Sequence, residues 1–308
     1  RRDPNNPDPL TWTNKYVASV LARNPDTGEL IWAYQFTPQE QWDWDEMGPF
    51  SLLDLRINGR MRKVMVHAGR NGFFYVVDRT TGELISAEKY IPQTNWASGY
   101  DLKTGFPIFN KDKLQAPNST IKDICPHLIG GKNFQPISYS PRTGLFYFLT
   151  QTNLCMDQET FDVDYKPGDR YIGIRSTAKL ATPANERTRL MAWDPVRQKE
   201  AWSIPEPFRT LAGTVATAGD LVFYPTVDGF FKAAHARTGQ LLWQFRTGAA
   251  SLANPMTYLG PDGKQYVAVL VGSKGIGTRA IDLDDAAQGP IGAYQRKGNF
   301  LFVFSLPE

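Results

Sequence analysis

The chain has 308 residues, of which 42% are hydrophobic and 21% charged, so it is long enough and apolar enough to bury a core. Its 34 basic residues nearly balance its 31 acidic residues, which gives no support for nucleic acid or an anionic membrane as a partner. No apolar run approaches the roughly 20 residues that a membrane-spanning helix needs.

The first predicted element is a hairpin at 22–32, ARNPDTGELIW, and its pattern recurs along the chain. The pattern is a polar residue, followed usually by Thr-Gly and then usually by Trp. Further copies lie at 76–86, 192–202 and 233–243, and weaker copies lie at 99–109 and 138–148. The polar side chain can cap the turn through nearby backbone, and glycine supplies the positive φ that the turn requires. The shared offset predicts that the tryptophans are buried against neighbouring units: Trp32, Trp202 and Trp243.

Residues 42–48, WDWDEMG, follow the first copy. If this stretch is extended, Asp43 and Asp45 point to the same side, because strand side chains repeat every second residue. Two carboxylates there, about 6–7 Å apart at the backbone, repel each other unless a positive group lies between them.

The longest readable unit spans 213–245 and is predicted to contain four short strands with turns at 218–220, 227–229 and 237–239. Four-stranded antiparallel units that recur in this way are typical of β-propeller blades. We therefore predict an all-β fold with about five blades in this chain. The last strand, NFLFVFSL at 299–306, is expected to complete a blade with strands from another part of the ring.

The two cysteines, Cys125 and Cys155, are compatible with buried thiols or with one disulfide. The sequence has no C-x-x-C or C-x-x-C-H, so neither a zinc ribbon nor covalently attached haem is predicted. The histidines lack metal-ligand spacing and are interpreted as ordinary surface or core residues: His67, His127 and His235.

The repeat resembles the tryptophan-docking motif of the pyrroloquinoline quinone (PQQ)-dependent alcohol dehydrogenases, a family that includes methanol dehydrogenase and forms an eight-bladed propeller. Further matching segments are HAGRNGFFYVVDRTTGEL, KDICP, LCMD, ATAGDLVFYPTVDGFFKA and ANPMTY. The resemblance runs from about residue 15 to the C-terminus and covers the C-terminal half or so of such an enzyme. It implies that 1–308 is a single-domain partial propeller that needs N-terminal blades from another segment or chain to close.

The resemblance also implies the site residues. Asp43 falls at the catalytic aspartate, where it would act as base and touch the metal. Arg70, in HAGRNG, matches an arginine near the aspartate and the quinone, although Arg-Asn-Gly also favours a plain hairpin turn. Asn133 lies at the offset of a PQQ-contacting asparagine, and Cys125 and Cys155 lie in segments that pair as a disulfide in the family.

Asp45 indicates which kind of metal ion the site would bind. Calcium-type members usually have a small or uncharged residue two positions after the catalytic aspartate, whereas lanthanide-type members have a second aspartate there. An added carboxylate compensates a third positive charge, so a lanthanide ion is predicted and calcium is the alternative. The glycine that usually follows is displaced, because Glu46 and Met47 precede Gly48, and Asp45 could therefore be turned away.

The implied function is oxidation of a primary alcohol to an aldehyde by hydride transfer to PQQ, with a separate cytochrome c as electron acceptor in the periplasm. Leu211 stands where methanol dehydrogenase has a tryptophan, so a larger alcohol is an option. The alternatives are a non-catalytic propeller scaffold of the outer-membrane assembly type and a quinoprotein polyol or sugar dehydrogenase. The resemblance also allows a homodimer.

Overall fold

The computed structural model describes residues 13–169, 171–180, 186–272 and 298–306, and their regular secondary structure is almost entirely β-strand. In chain order the first strands are β1 (Ser19–Arg23), β2 (Leu30–Gln35), β3 (Ser51–Ile57), β4 (Arg60–Ala68), β5 (Phe73–Asp78), β6 (Leu84–Lys89), β7 (Ala97–Asp101), β8 (Phe106–Phe109), β9 (Thr120–Ile124), β10 (Ser138–Ser140) and β11 (Leu145–Thr150). They are followed by β12 (Leu154–Thr160), β13 (Ile174–Leu180), β14 (Thr188–Asp194), β15 (Lys199–Glu206), β16 (Val215–Ala216), β17 (Leu221–Pro225), β18 (Phe230–His235), β19 (Leu241–Arg246), β20 (Met256–Leu259), β21 (Gln265–Gly272) and β22 (Asn299–Ser305). A short 3₁₀ helix at Lys111–Lys113 precedes β9.

One compact unit contains the described residues up to Asn133 together with 154–180. Its largest sheet has the order β3-β4-β5-β6, so consecutive strands are neighbours and all pairs are antiparallel. Strands β1 and β2 form one pair, β7 and β8 another, and β13-β12-β9 form a three-stranded sheet. The core of this unit is rich in aromatic side chains, among them Phe36, Trp42, Trp44, Phe73, Tyr75 and Trp96.

A second compact unit contains 134–153 and the described residues from 186 onward. It has two four-stranded sheets, β10-β11-β14-β15 and β16-β17-β18-β19, and a three-stranded sheet, β20-β21-β22. The predicted four-stranded unit at 213–245 is confirmed, because β16 to β19 form one antiparallel sheet in chain order. Strand β22 pairs with β21, its neighbour in this sheet.

The tryptophan of the repeat docks on the turn between the third and fourth strands of the following sheet. The indole N–H of Trp32 donates to the carbonyl of Arg79 at 3.1 Å, and that of Trp202 donates to the carbonyl of Ala236 at 3.0 Å. A Cβ on Gly82 would lie 2.9 Å from the Trp32 ring, and one on Gly239 would lie 2.6 Å from the Trp202 ring. Glycine is therefore required in these turns both for its positive φ and for the close approach of the indole.

The prediction that all three tryptophans are buried is wrong for Trp243, which is 37% exposed, while Trp32 and Trp202 are half-buried. Trp243 packs edge-on against Phe231 and Phe304. The sheet that follows it has three strands in the part of the chain that the structure describes. Within 186–272 and 298–306, this sheet therefore offers Trp243 no turn between a third and a fourth strand.

Among the described residues, no helix has the length and apolarity that crossing a membrane would require.

Candidate active site

Residues 42–48 connect β2 to β3 as an irregular segment rather than as a strand. Trp42 and Trp44 are fully buried and stacked, with ring centroids 4.7 Å apart. The side chains of Asp43 and Asp45 are instead 48% and 54% exposed. The alternation expected from the sequence is therefore present, although regular strand pairing does not produce it.

Four hydrogen bonds hold Trp42 and Trp44 in this segment. A single carboxylate oxygen of Glu40 accepts the backbone N–H groups of Trp42 and Trp44, at 2.7 and 2.9 Å. The indole N–H of Trp42 donates to the carbonyl of Lys113 at 3.2 Å, and that of Trp44 donates to the carbonyl of His127 at 3.0 Å. Burial raises the pKa of Glu40, and the two backbone N–H groups oppose that shift. The inner side of the segment is thus fixed, which leaves the two aspartates to face outward.

The backbone of Asp43 is in the left-handed region, with φ at +66°. Aspartate adopts this region more readily than most residues, but it still has a cost of order 1 kcal/mol or more. Such a conformation persists when the surroundings determine it, as the buried tryptophans on either side do here. Non-glycine residues of this kind cluster at active sites, which singles out Asp43 within the segment.

Arg70 lies in the turn between β4 and β5, so both interpretations of HAGRNG, a hairpin turn and a site arginine, are compatible with its position. Its side chain is 8% exposed and is held by the carbonyl of Leu128, which accepts from Nε at 2.9 Å and from Nη2 at 2.6 Å. Nη1 donates to Asp45 Oδ2 at 3.1 Å, and Nη2 is 4.0 Å from Asp43 Oδ2. The positive group close to both aspartates is therefore this guanidinium, and Asp45 is turned toward it.

The carboxylates of Asp43 and Asp45 also fit a hard cation. Two carboxylates against one guanidinium leave an excess negative charge at a half-exposed position, and carboxylate oxygens are the ligands that such cations prefer. In the described parts of the chain, no group of three or more His, Cys, Asp or Glu side chains is arranged to hold a metal ion. Asp43 and Asp45 could thus hold a metal only as part of a larger set, because cations of this type take about six to eight oxygens.

Asn133 ends the loop that wraps Arg70. The backbone N–H of Gly131 donates to the carbonyl of Arg70 at 2.9 Å, and a Cβ on Gly130 would collide with the Arg70 side chain. The amide of Asn133 donates to the carbonyl of Ile129 at 2.9 Å, within the same loop. The structure therefore brings the Asn133 loop to Arg70, and contact of this amide with a quinone stays a prediction.

The predicted disulfide between Cys125 and Cys155 is present, with Cα atoms 4.4 Å apart and a sequence separation of 30. It joins the start of the same loop to β12. A cross-link of this span is worth roughly 3–4 kcal/mol in the chain-entropy model. The loop that holds the Arg70 guanidinium is thus covalently anchored at its base.

Sequence reasoning missed a buried charged cluster behind these residues. Glu46 and His67, each with a 1% exposed side chain, are joined by a 2.8 Å hydrogen bond. Lys132 is fully buried nearby, and burial lowers its pKa to about 7 while the charge of Glu46 opposes the shift. His67 is a core residue, one of the two positions that the sequence allows for it, but nothing in its spacing indicates the contact with Glu46. The glycine displaced to position 48 is the sequence feature that could indicate this cluster.

Comparison with known proteins identifies the family to which the chain is similar. The family described as glucose/ethanol/alcohol dehydrogenase, β-propeller domain, matches residues 10–123 and 179–267. The lanthanide-dependent methanol dehydrogenase of Methylorubrum extorquens is 40% identical over 97% of this chain and 54% of its own length. The 1-butanol dehydrogenase (cytochrome c) of Thauera butanivorans is 40% identical over 87% of this chain and 39% of its own length.

Among solved structures, a europium-containing methanol dehydrogenase superposes with a TM-score of 0.87 and 38% identity, over 96% of this chain and 54% of that one. The chain thus spans about half the length of the methanol dehydrogenases that it matches. The family match, the relatives and the docked tryptophans agree on one assignment. The chain belongs to the β-propeller family of PQQ-dependent glucose, ethanol and alcohol dehydrogenases.

Proposed function

We propose that this chain is the C-terminal portion of a quinoprotein that oxidises primary alcohols to aldehydes with PQQ and a metal ion. The observation that carries the proposal is the arrangement of Asp43, Asp45 and Arg70, in which two half-exposed carboxylates lie beside one buried guanidinium. A propeller that served only as a scaffold would not need these three groups together. The relatives, which are named as alcohol dehydrogenases, support the same reading.

The chemistry assigns a role to each side chain. Bound PQQ would supply the carbonyl carbon that accepts a hydride from the alcohol carbon, and the metal would supply a Lewis acid. Asp43 takes the hydroxyl proton, so loss of the hydride and of this proton leaves the aldehyde. Arg70 is permanently charged, and its N–H groups donate where negative charge develops on oxygen. The carbonyl of Leu128 fixes the direction of that guanidinium.

Asp43 and Asp45 would hold the metal, which we propose is a trivalent lanthanide, with calcium as the alternative. The second carboxylate favours the higher charge, because a trivalent ion needs more negative compensation than calcium does. The lanthanide dependence of the Methylorubrum enzyme and the europium in the superposed structure support this choice. Asn133 would contact PQQ from the loop that wraps Arg70.

The chain is proposed to be a partial propeller completed by N-terminal blades from another segment or chain. The sheet β20-β21-β22 supports this, because one of its faces has large apolar side chains that are exposed: Met256, Tyr258, Leu270, Leu301 and Val303. An apolar sheet face of this kind normally packs against another layer. A neighbouring blade would cover it.

Electrons are proposed to leave the reduced quinone to a separate cytochrome c in the periplasm. The acceptor named for the Thauera butanol dehydrogenase supports this. The disulfide between Cys125 and Cys155 is compatible with an oxidising compartment.

The test is Asp43→Asn in the complete enzyme loaded with PQQ and metal. Loss of the base should lower kcat by about two to four orders of magnitude while PQQ still binds. Rates on primary alcohols and on polyols, and PQQ content by absorbance, are measured in parallel. Asp26→Asn, an exposed turn aspartate, is the matched control and should keep full activity.

Near-normal turnover with Asp43→Asn would show that the base lies elsewhere. A wild-type protein that binds PQQ but turns over polyols or sugars instead of primary alcohols would correct the substrate. A wild-type protein that does not bind PQQ would favour the scaffold function.

A further inference from the structure

We propose that Glu46 is a positioning residue for Arg70, and that it fixes the guanidinium relative to Asp43 and Asp45. The inference rests on the proposed function for its catalytic consequence, and on the contacts of Glu46 for its geometry. Glu46 itself does not reach the exposed side of the segment, because its side chain is 1% exposed.

Glu46 ties the aspartate segment to the end of β4 and to the turn that follows it through one oxygen. Its Oε2 is hydrogen-bonded to Nε2 of His67, at the end of β4, at 2.8 Å. The same Oε2 accepts the backbone N–H of Arg70 at 3.1 Å. Since Glu46 directly follows Asp45, this oxygen links the aspartate segment to the turn that presents the arginine.

Lys132 and Gly48 complete the support. Nζ of Lys132 donates to the backbone carbonyl of Asn133 at 2.9 Å. A Cβ on Gly48 would lie 2.9 Å from Lys132 Nζ and 3.2 Å from His67 Cε1, so the glycine allows both side chains to approach the segment that contains Glu46. A buried carboxylate is costly unless it is hydrogen-bonded, and His67 and the backbone N–H of Arg70 supply hydrogen bonds to Oε2 of Glu46.

The position of Arg70 is therefore determined from both ends. Leu128 and Asp45 hold the guanidinium, and Glu46 holds the backbone N–H of the same residue. Without Glu46 the turn can shift while the guanidinium contacts lengthen. A displacement of about 1 Å in a catalytic group can lower the rate by roughly a hundredfold. Glu46 therefore affects turnover without contacting the reacting atoms.

Two readouts in the complete enzyme test the inference, and one of them does not depend on activity. In metal-free and PQQ-free protein, Glu46→Ala should speed hydrogen–deuterium exchange at the Arg70 amide, because its acceptor is lost. In the loaded enzyme the same variant should lower kcat by about tenfold to a hundredfold with little change in KM, as expected for an effect on the transition state. Glu46→Gln retains a carbonyl acceptor and should restore most of both.

The control is Glu88→Ala. Glu88 is an exposed glutamate on β6, in the sheet that also contains His67, and its replacement should change neither readout. In an Arg70→Ala background, Glu46→Ala should lower kcat no further, because the two residues act as one unit. The inference is overturned if exchange at the Arg70 amide is unchanged in folded Glu46→Ala, or if the kcat losses of Glu46→Ala and Arg70→Ala multiply independently. A wild-type enzyme that oxidises no alcohol would instead refute the proposed function, and the exchange experiment would still decide whether Glu46 holds Arg70.

Discussion

Asp43 and Asp45 share an exposed face because Trp42 and Trp44 occupy the buried one. This much could be predicted from the sequence, since alternating tryptophan and aspartate separate by burial in any extended or nearly extended backbone. The burial of Glu46 could not. Next to two acids it has the pattern of a solvated residue, and the contact that buries it comes from His67, 21 residues away.

The buried Lys132 is expected to make the stability of the chain depend on pH. Its pKa is about 7 in the folded chain against 10.5 in the unfolded one, because burial disfavours the charged form. Between these values the unfolded chain binds a proton that the folded chain does not, so the cost of burying the lysine grows as pH falls from about 10.5 to about 7 and is constant below that.

Lys132→Met should therefore gain stability relative to wild type as pH falls through that window, by up to about 1.4 kcal/mol per pH unit. Urea unfolding at several pH values measures the difference. Lys122→Met, at an exposed lysine, should show no such slope. A stability difference for Lys132→Met that does not vary with pH would contradict the predicted shift.

At the scale of elements, the turn chemistry of the repeat correctly predicted the four strands β16 to β19. The burial of Trp243 was wrongly predicted, because docking depends on the following sheet and not on the hairpin that contains the tryptophan. The pairing of Cys125 with Cys155 followed only from the family resemblance, since two cysteines alone do not determine their state.

The packing of the repeat tryptophan on its turn can be measured with two glycines that occupy the same position of the repeat. Gly28 and Gly239 both have φ at +73°, but a Cβ on Gly28 meets no atom within 4 Å, whereas one on Gly239 meets the Trp202 ring. Gly239→Ala should therefore cost about 1–3 kcal/mol more than Gly28→Ala, beyond the backbone strain that the two share.

The extra cost should disappear when Trp202 is also replaced by alanine, as chemical unfolding of the double variant would show. Equal costs for Gly28→Ala and Gly239→Ala would mean that the indole does not press on the turn.

At the scale of the whole molecule, composition and repeats were sufficient to predict an all-β propeller fold, and the family match to a β-propeller domain agrees. The proposed metal site is only partly formed by this chain. In the proposed site the chain would supply Asp43, Asp45 and Arg70, and two carboxylates are too few for a hard cation that takes about six to eight oxygens. On the proposed account, the remaining ligands come from the blades that complete the ring.

The central claim is that two aspartates beside one arginine serve a trivalent metal in alcohol oxidation. The most direct measurement is the rate of primary alcohol oxidation by the complete PQQ-loaded enzyme, stripped of metal and then supplied with lanthanum, cerium or calcium in turn. We expect that lanthanum or cerium restores turnover, that calcium restores much less, and that Asp45→Ala abolishes the lanthanide response. Full activity with calcium alone, unaffected by Asp45→Ala, would contradict it.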